Sequence, residues 1–195
     1  MSNVGVAMVG GNGKRRKDDF YPTPFGSTRP MLPILQDVFP RRVWEPFCGQ
    51  GHMSQVLRED GYDVVSTDKV RRGYGTQLDF MQSARPLASA IISNPPFIII
   101  DEILDHALNL LGVEHIAFLL PLSFWCAKGR VDLFEQNTPA LVLPATWRID
   151  STGQKRPTMN FQWIVWTSAL PPIRGFKPLV TEDKHAGSLD DDPLS

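Results

Sequence analysis

From residue 42 onward, short apolar runs alternate with helical spacing, and nearly every run breaks off at a residue able to do chemistry. Arg42-Val43-Trp44-Glu45 reads as a strand stopped by Pro46 and a glycine-rich turn; Met53 to Glu59 reads as the following helix, closed by Gly61. Asp63 to Thr67 is a second strand ending at Asp68, and Ala90-Ile91-Ile92-Ser93 is a third, stopped by Pro95-Pro96. Ile99 to Leu111 carries apolar residues at helical spacing up to Gly112. His115 to Leu120 is another buried-type strand, Leu141-Val142-Leu143 is a short one, and Phe161 to Thr167 alternates as a final strand. Strands alternating with helices predict an α/β fold, a doubly wound parallel sheet with helices on both faces. Ligands of such sheets bind beyond the carboxyl ends of the strands, so the residues just after each strand are the candidates.

The remaining features narrow the class. A chain of 195 residues holds one domain with a sizeable core and not two ordinary ones. Residues 1–17, glycine-rich with four bases and no acid, read as a flexible basic arm; residues 18–183 form the single domain; residues 184–195 read as a disordered acidic tail. The formal net charge of −1 hides these ends, and the body between them is no basic block that would hold nucleic acid by charge alone. No apolar run approaches the roughly 20 residues of a membrane helix, and no export signal follows the basic arm, so a cytoplasmic protein is expected. Two cysteines without CxxC spacing and four histidines without zinc-ligand spacing predict no metal.

Four features stand at the strand ends. Glu45-Pro46-Phe47-Cys48-Gly49-Gln50-Gly51 joins a strand to a helix, where glycines let backbone approach a ligand. The dinucleotide fingerprint would ask for glycine where Ser54 stands, and Glu45 suits an ammonium group better than a pyrophosphate. Asp68 ends the second strand where a carboxylate accepts from ribose hydroxyls, although a lone aspartate there also serves as a cap or turn residue. Asp79 could accept from an adenine amino group while Phe80 packs on the ring; in isolation the pair would be ordinary loop residues. Ser93-Asn94-Pro95-Pro96-Phe97 is the most specific feature. The prolines remove two N–H donors and turn carbonyls outward. A planar –NH2 group can then donate to the Asn94 side chain and the Pro95 carbonyl, with Phe97 as a stacking face.

With these segments the chain resembles the S-adenosylmethionine-dependent amino-methyltransferases of DNA, whose hallmark is (D/N/S)PP(Y/F/W). Asp19-Phe20-Tyr21-Pro22-Thr23-Pro24 resembles the family's cofactor segment before the first strand, and Phe118-Leu119-Leu120-Pro121 and Asn160-Phe161-Gln162-Trp163 its later sheet and base-pocket segments. The cofactor segments precede the NPPF segment, as in the gamma class and its small phage and prophage enzymes. The resemblance implies a Rossmann-like class I methyltransferase fold: a seven-stranded, mostly parallel sheet with an antiparallel last strand. It implies S-adenosylmethionine as cofactor, held by Tyr21, Thr23, Glu45, Pro46, Phe47, Gly49, Gly51, Asp68, Asp79, Phe80 and Asn94. It implies DNA as partner, with Asn94, Pro95, Pro96 and Phe97 presenting adenine N6 to the methyl group in direct in-line transfer. No separate target-recognition domain is expected. Arg71 and Arg72 in residues 69–77, and Arg148, Lys155 and Arg156 in residues 144–160, are therefore the expected nucleic-acid contacts, together with Phe161.

Methylation of cytosine C5 is disfavoured, because neither Cys48 nor Cys126 follows the fourth-strand proline as that chemistry requires. Three rivals remain open: an RNA methyltransferase acting on adenine N6 or guanine N2, a protein glutamine methyltransferase, and a non-catalytic relative that keeps the cofactor site.

Overall fold

The computed structural model describes residues 22–149 and 159–173. Seven strands form one sheet in the order β3-β2-β1-β4-β5-β7-β6. They are β1 (Arg42–Glu45), β2 (Asp63–Asp68), β3 (Thr76–Gln77), β4 (Ala90–Ser93), β5 (His115–Pro121), β6 (Leu141–Ile149) and β7 (Met159–Thr167). Six strands run in the same direction, and β7 alone lies antiparallel, between β5 and β6. The chain builds outward from β1 through β2 to β3, then crosses to β4 on the other side of β1. That reversal opens a crevice at the carboxyl ends of β1 and β4, the place where open α/β sheets bind ligands.

The core explains the strand reading. Every residue of β4 is buried, as a central strand covered on both faces requires. Three buried indoles find acceptors that tie the periphery to the sheet. Trp44 Nε1 donates to Thr67 Oγ1 at 2.8 Å, Trp163 Nε1 to the Ser27 carbonyl at 3.1 Å, and Trp166 Nε1 to the Asn137 carbonyl at 2.8 Å. The Trp163 bond anchors α1 (Phe25–Thr28), and with it the segment running from Pro22 to Pro24, beside the site. The helix α2 (Leu32–Val38) follows α1, and α3 (His52–Glu59) connects β1 to β2 with Met53, Val56 and Leu57 turned inward.

Two expectations need correction, and a helix after β5 is new. The long helix expected over Ile99 to Leu111 is a short α4 (Ile100–Asp105) continuing into a wider turn, where Leu111 N–H donates to the His106 carbonyl at 2.9 Å. Widening accompanies burial of His106, whose Nε2 lies 3.2 Å from the Ser83 carbonyl and whose ring meets Phe80 edge-on. The short strand at Leu141 extends to Ile149, so residues 144–149 are strand rather than loop. Pro144 is tolerated because β6 is an edge strand, and the register shifts between Pro144 and Arg148. After β5, α5 (Val131–Gln136) was not foreseen. The basic arm (residues 1–17) and the acidic tail (residues 184–195) lie outside the described residues.

Candidate active site

A cavity of about 430 Å³ opens at the carboxyl ends of β1, β2 and β4, within the range of small-molecule sites. It brings together Thr23, Glu45, Phe47, Gly49, Asp68, Asp79, Phe80 and the whole run from Asn94 to Phe97. Residues from five separate stretches of sequence thus meet on one surface.

Asp68 organises the first wall. Its Oδ2 accepts from Gly49 N–H at 2.9 Å and its Oδ1 from Val70 N–H at 2.8 Å, fixing the glycine loop and the next loop at once. Each carboxylate oxygen has a second lone pair for a hydroxyl in the cavity. Asp79 caps the turn Phe80–Gln82 through Met81 N–H at 3.1 Å and pairs with Lys69 at 2.9 Å. Phe80 is buried between Trp44, Phe47 and His106, and it still reaches the cavity wall.

Glu45 is 2% exposed, and burial pushes its carboxyl from 4.5 up to about 8. The Ser54 hydroxyl donates to Glu45 Oε2 and stands 2.6 Å from Ser66 Oγ. Arg58 Nη2 donates to Ser66 Oγ at 3.1 Å, and Nη1 donates to the Tyr74 hydroxyl. Ser54, Ser66, Arg58 and Tyr74 were not singled out as site residues. The legible trace was Ser54 itself, a side chain where a dinucleotide loop wants none. Burial, together with Glu45 and Asp68 nearby, pushes the Cys48 thiol up to about 12, which keeps it a thiol and no nucleophile.

The opposite wall is the NPPF segment. Asn94 Nδ2 donates to Thr23 Oγ1 at 3.0 Å, and His52 Nδ1 lies 3.2 Å from the Thr23 carbonyl. The Thr23 hydroxyl, as acceptor, thus holds the Nδ2 end of the Asn94 amide. Pro95 is buried and Phe97 is 8% exposed, packed against Phe161 with ring centroids 6.1 Å apart.

Some expected residues fall elsewhere. Phe161 is 2% exposed, an inward-facing residue of β7, so it backs Phe97 and offers no surface for nucleic acid. Pro46 and Gly51 are buried and take no part in the cavity wall. Gly51 adopts φ 84°, and a Cβ there would overlap the Tyr74 ring, so this glycine answers to Tyr74. Arg72 lines the cavity, whereas Arg71 is exposed and donates to Gln77 Oε1 at 2.9 Å. Arg148 is exposed near the end of β6, opposite Asn160. Tyr21, Lys155 and Arg156 lie outside the described residues. His52, Met53, Lys69, Met81, Ile98 and Ile99 complete parts of the wall that sequence reasoning left out. Among the described residues no helix is long and apolar enough to cross a membrane.

No protein-family model and no curated protein matches the chain. Solved structures do. The "putative RNA methyltransferase" of Pyrococcus horikoshii matches with a TM-score of 0.56 at 17% identity, over 75% of this chain and 85% of that one. The modification subunit of a "putative type I restriction enzyme" from Vibrio vulnificus matches at 0.56 and 10% identity, over 78% of this chain and 45% of the other. Magnesium protoporphyrin IX methyltransferase from Synechocystis, solved with bound S-adenosylmethionine, matches at 0.50 and 14% identity, over 75% and 79%. Three such different substrate types on one scaffold leave function to the site. What the likeness establishes is the architecture: the chain has the Rossmann-like fold of the class I methyltransferases.

Proposed function

We propose that the chain transfers a methyl group from S-adenosylmethionine to the exocyclic N6 amino group of adenine in DNA. The observation that carries this reading is the meeting of two chemistries in one cavity, carboxylates at the ends of β1 and β2 and an Asn-Pro-Pro-Phe segment at the end of β4. The donor set fits the cofactor. Glu45 would take the methionine ammonium, Asp68 the ribose hydroxyls, and Phe80, with Phe47 and Asp79, the adenine. When bound, the cofactor supplies an electrophilic methyl group on a sulfonium centre.

The chain's own residues do the rest. Asn94 Oδ1 and the Pro95 carbonyl accept the two hydrogens of the target amino group, drawing its lone pair out of conjugation and aiming it into the cavity. Phe97, backed by Phe161, holds the plane of the base. No general base is needed, because the amino nitrogen becomes cationic first and then sheds its proton to water. Positioning carries the catalysis and can contribute about 7–11 kcal/mol. A duplex target must first release the base, at a cost of roughly a few kcal/mol.

The test is nucleoside mass spectrometry of DNA incubated with the protein and isotope-labelled S-adenosylmethionine. Labelled N6-methyladenine is the expected product. Label confined to RNA under the same conditions would move the substrate and keep the site.

A further inference from the structure

Arg58 heads a directed chain of hydrogen bonds. Its guanidinium has donors only, and the chain ends on a carboxylate that accepts when ionised. With Glu45 ionised the directions in between are fixed: Arg58 donates to Ser66, Ser66 to Ser54, and Ser54 to Glu45. Each link polarises the next toward the carboxylate. Arg58 is held for this task from two further sides, by the Val64 carbonyl and by Tyr74, whose ring lies 5.5 Å from the guanidinium carbon.

The other groups around Glu45 pull in both directions. Asp68 at the end of β2 disfavours the charged form, as burial does, and Arg58 on α3 favours it. Cys48 in the glycine loop stays neutral, and His52, Lys69, Arg72 and Asp79 stand farther round the cavity wall. Burial prevails over the Arg58 charge, and a cation placed against Glu45 would reverse the balance.

We propose that Arg58 is a positioning residue that readies Glu45 for ionisation through Ser66 and Ser54, so that arrival of a ligand's ammonium group expels one proton from Glu45. The Glu45 O–H bond breaks, the proton passes to solvent, and the carboxylate remains paired with the ammonium. This rests on the cofactor reading above. It adds that binding is proton-linked and that residues outside the cavity set the linkage.

The probe is S-adenosylhomocysteine, which carries the same amino-acid end. Calorimetry at pH 7 in two buffers of different ionisation enthalpy counts protons released on binding. Wild type releases close to one, and Glu45→Gln, which retains the ligand's own titration, releases none. The wild-type Kd falls about tenfold per pH unit on approaching pH 8 and then levels. In Arg58→Met that levelling moves to higher pH, with weaker binding at pH 7 and converging affinity above it. Ser66→Ala cuts the chain with Arg58 in place and shifts the profile the same way. Wild-type binding without proton release, or an unmoved profile in a folded Ser66→Ala protein, overturns the proposal. Absence of binding at every pH overturns the cofactor reading, and the linkage falls with it.

Discussion

The Asn94 amide donates to the Thr23 hydroxyl at 3.0 Å across 71 positions of sequence. That bond makes the segment before α1 part of the amino-group site. Replacing Asn94 by Ala should leave S-adenosylhomocysteine affinity within a few-fold and abolish methyl transfer. Replacing Thr23 by Val should lower turnover by up to about tenfold, the worth of one orienting hydrogen bond. Single-turnover rates and calorimetry on both variants check this. A Thr23→Val enzyme with wild-type turnover would remove the orienting role.

Asp68 joins two loops as well as facing the cavity. Asp68→Ala should weaken the cofactor analogue at least tenfold, and it should also lower Tm, because two backbone N–H groups lose a charged acceptor. Asp68→Asn keeps one carbonyl acceptor and should fall between. Thermal melts beside titrations separate the effects; an unchanged Kd in Asp68→Ala would end the ribose assignment.

Gly51 should resist substitution for a reason outside the cavity. Gly51→Ala meets left-handed backbone strain of about 1–2 kcal/mol together with a clash on Tyr74. Tyr74→Ala in the same chain relieves only the clash. Urea denaturation of the four proteins of that cycle should therefore show partial rescue. Full additivity would mean that the Tyr74 ring does not set the choice of residue.

Glu45 makes ligand-free stability depend on pH. Its folded value near 8 lies above the unfolded value near 4.5, so its stabilising contribution is complete below 4.5 and is lost as pH rises toward 8. Within that window the loss runs at up to about 1.4 kcal/mol per pH unit. Urea midpoints should fall across it for wild type and change much less for Glu45→Gln. Parallel curves for the two proteins would show that Glu45 is ionised in the folded state.

The strands that shape the cavity were legible because each is a compact apolar run with a polar stop. Glu45, Asp68, Asn94 and Phe97 could be read for the same reason, since the end of a strand is visible in one dimension. Ser66 could not, because only the pairing of β2 beside β1 brings it to Ser54 and Glu45. Phe161 was misplaced because alternation reports a strand and not which face points inward. Thr76–Gln77 is too short for any periodic signal, and the first turns of α1 and α2 stand among prolines.

The outer strand β6 carries Pro144 and a break in register before Arg148. An exposed strand edge is a template on which another chain can stack and start a fibre. A missing N–H and an offset ladder deny that template a regular row of partners. The same interruption that concealed the length of this strand in the sequence thus guards the sheet against growing beyond its seventh member.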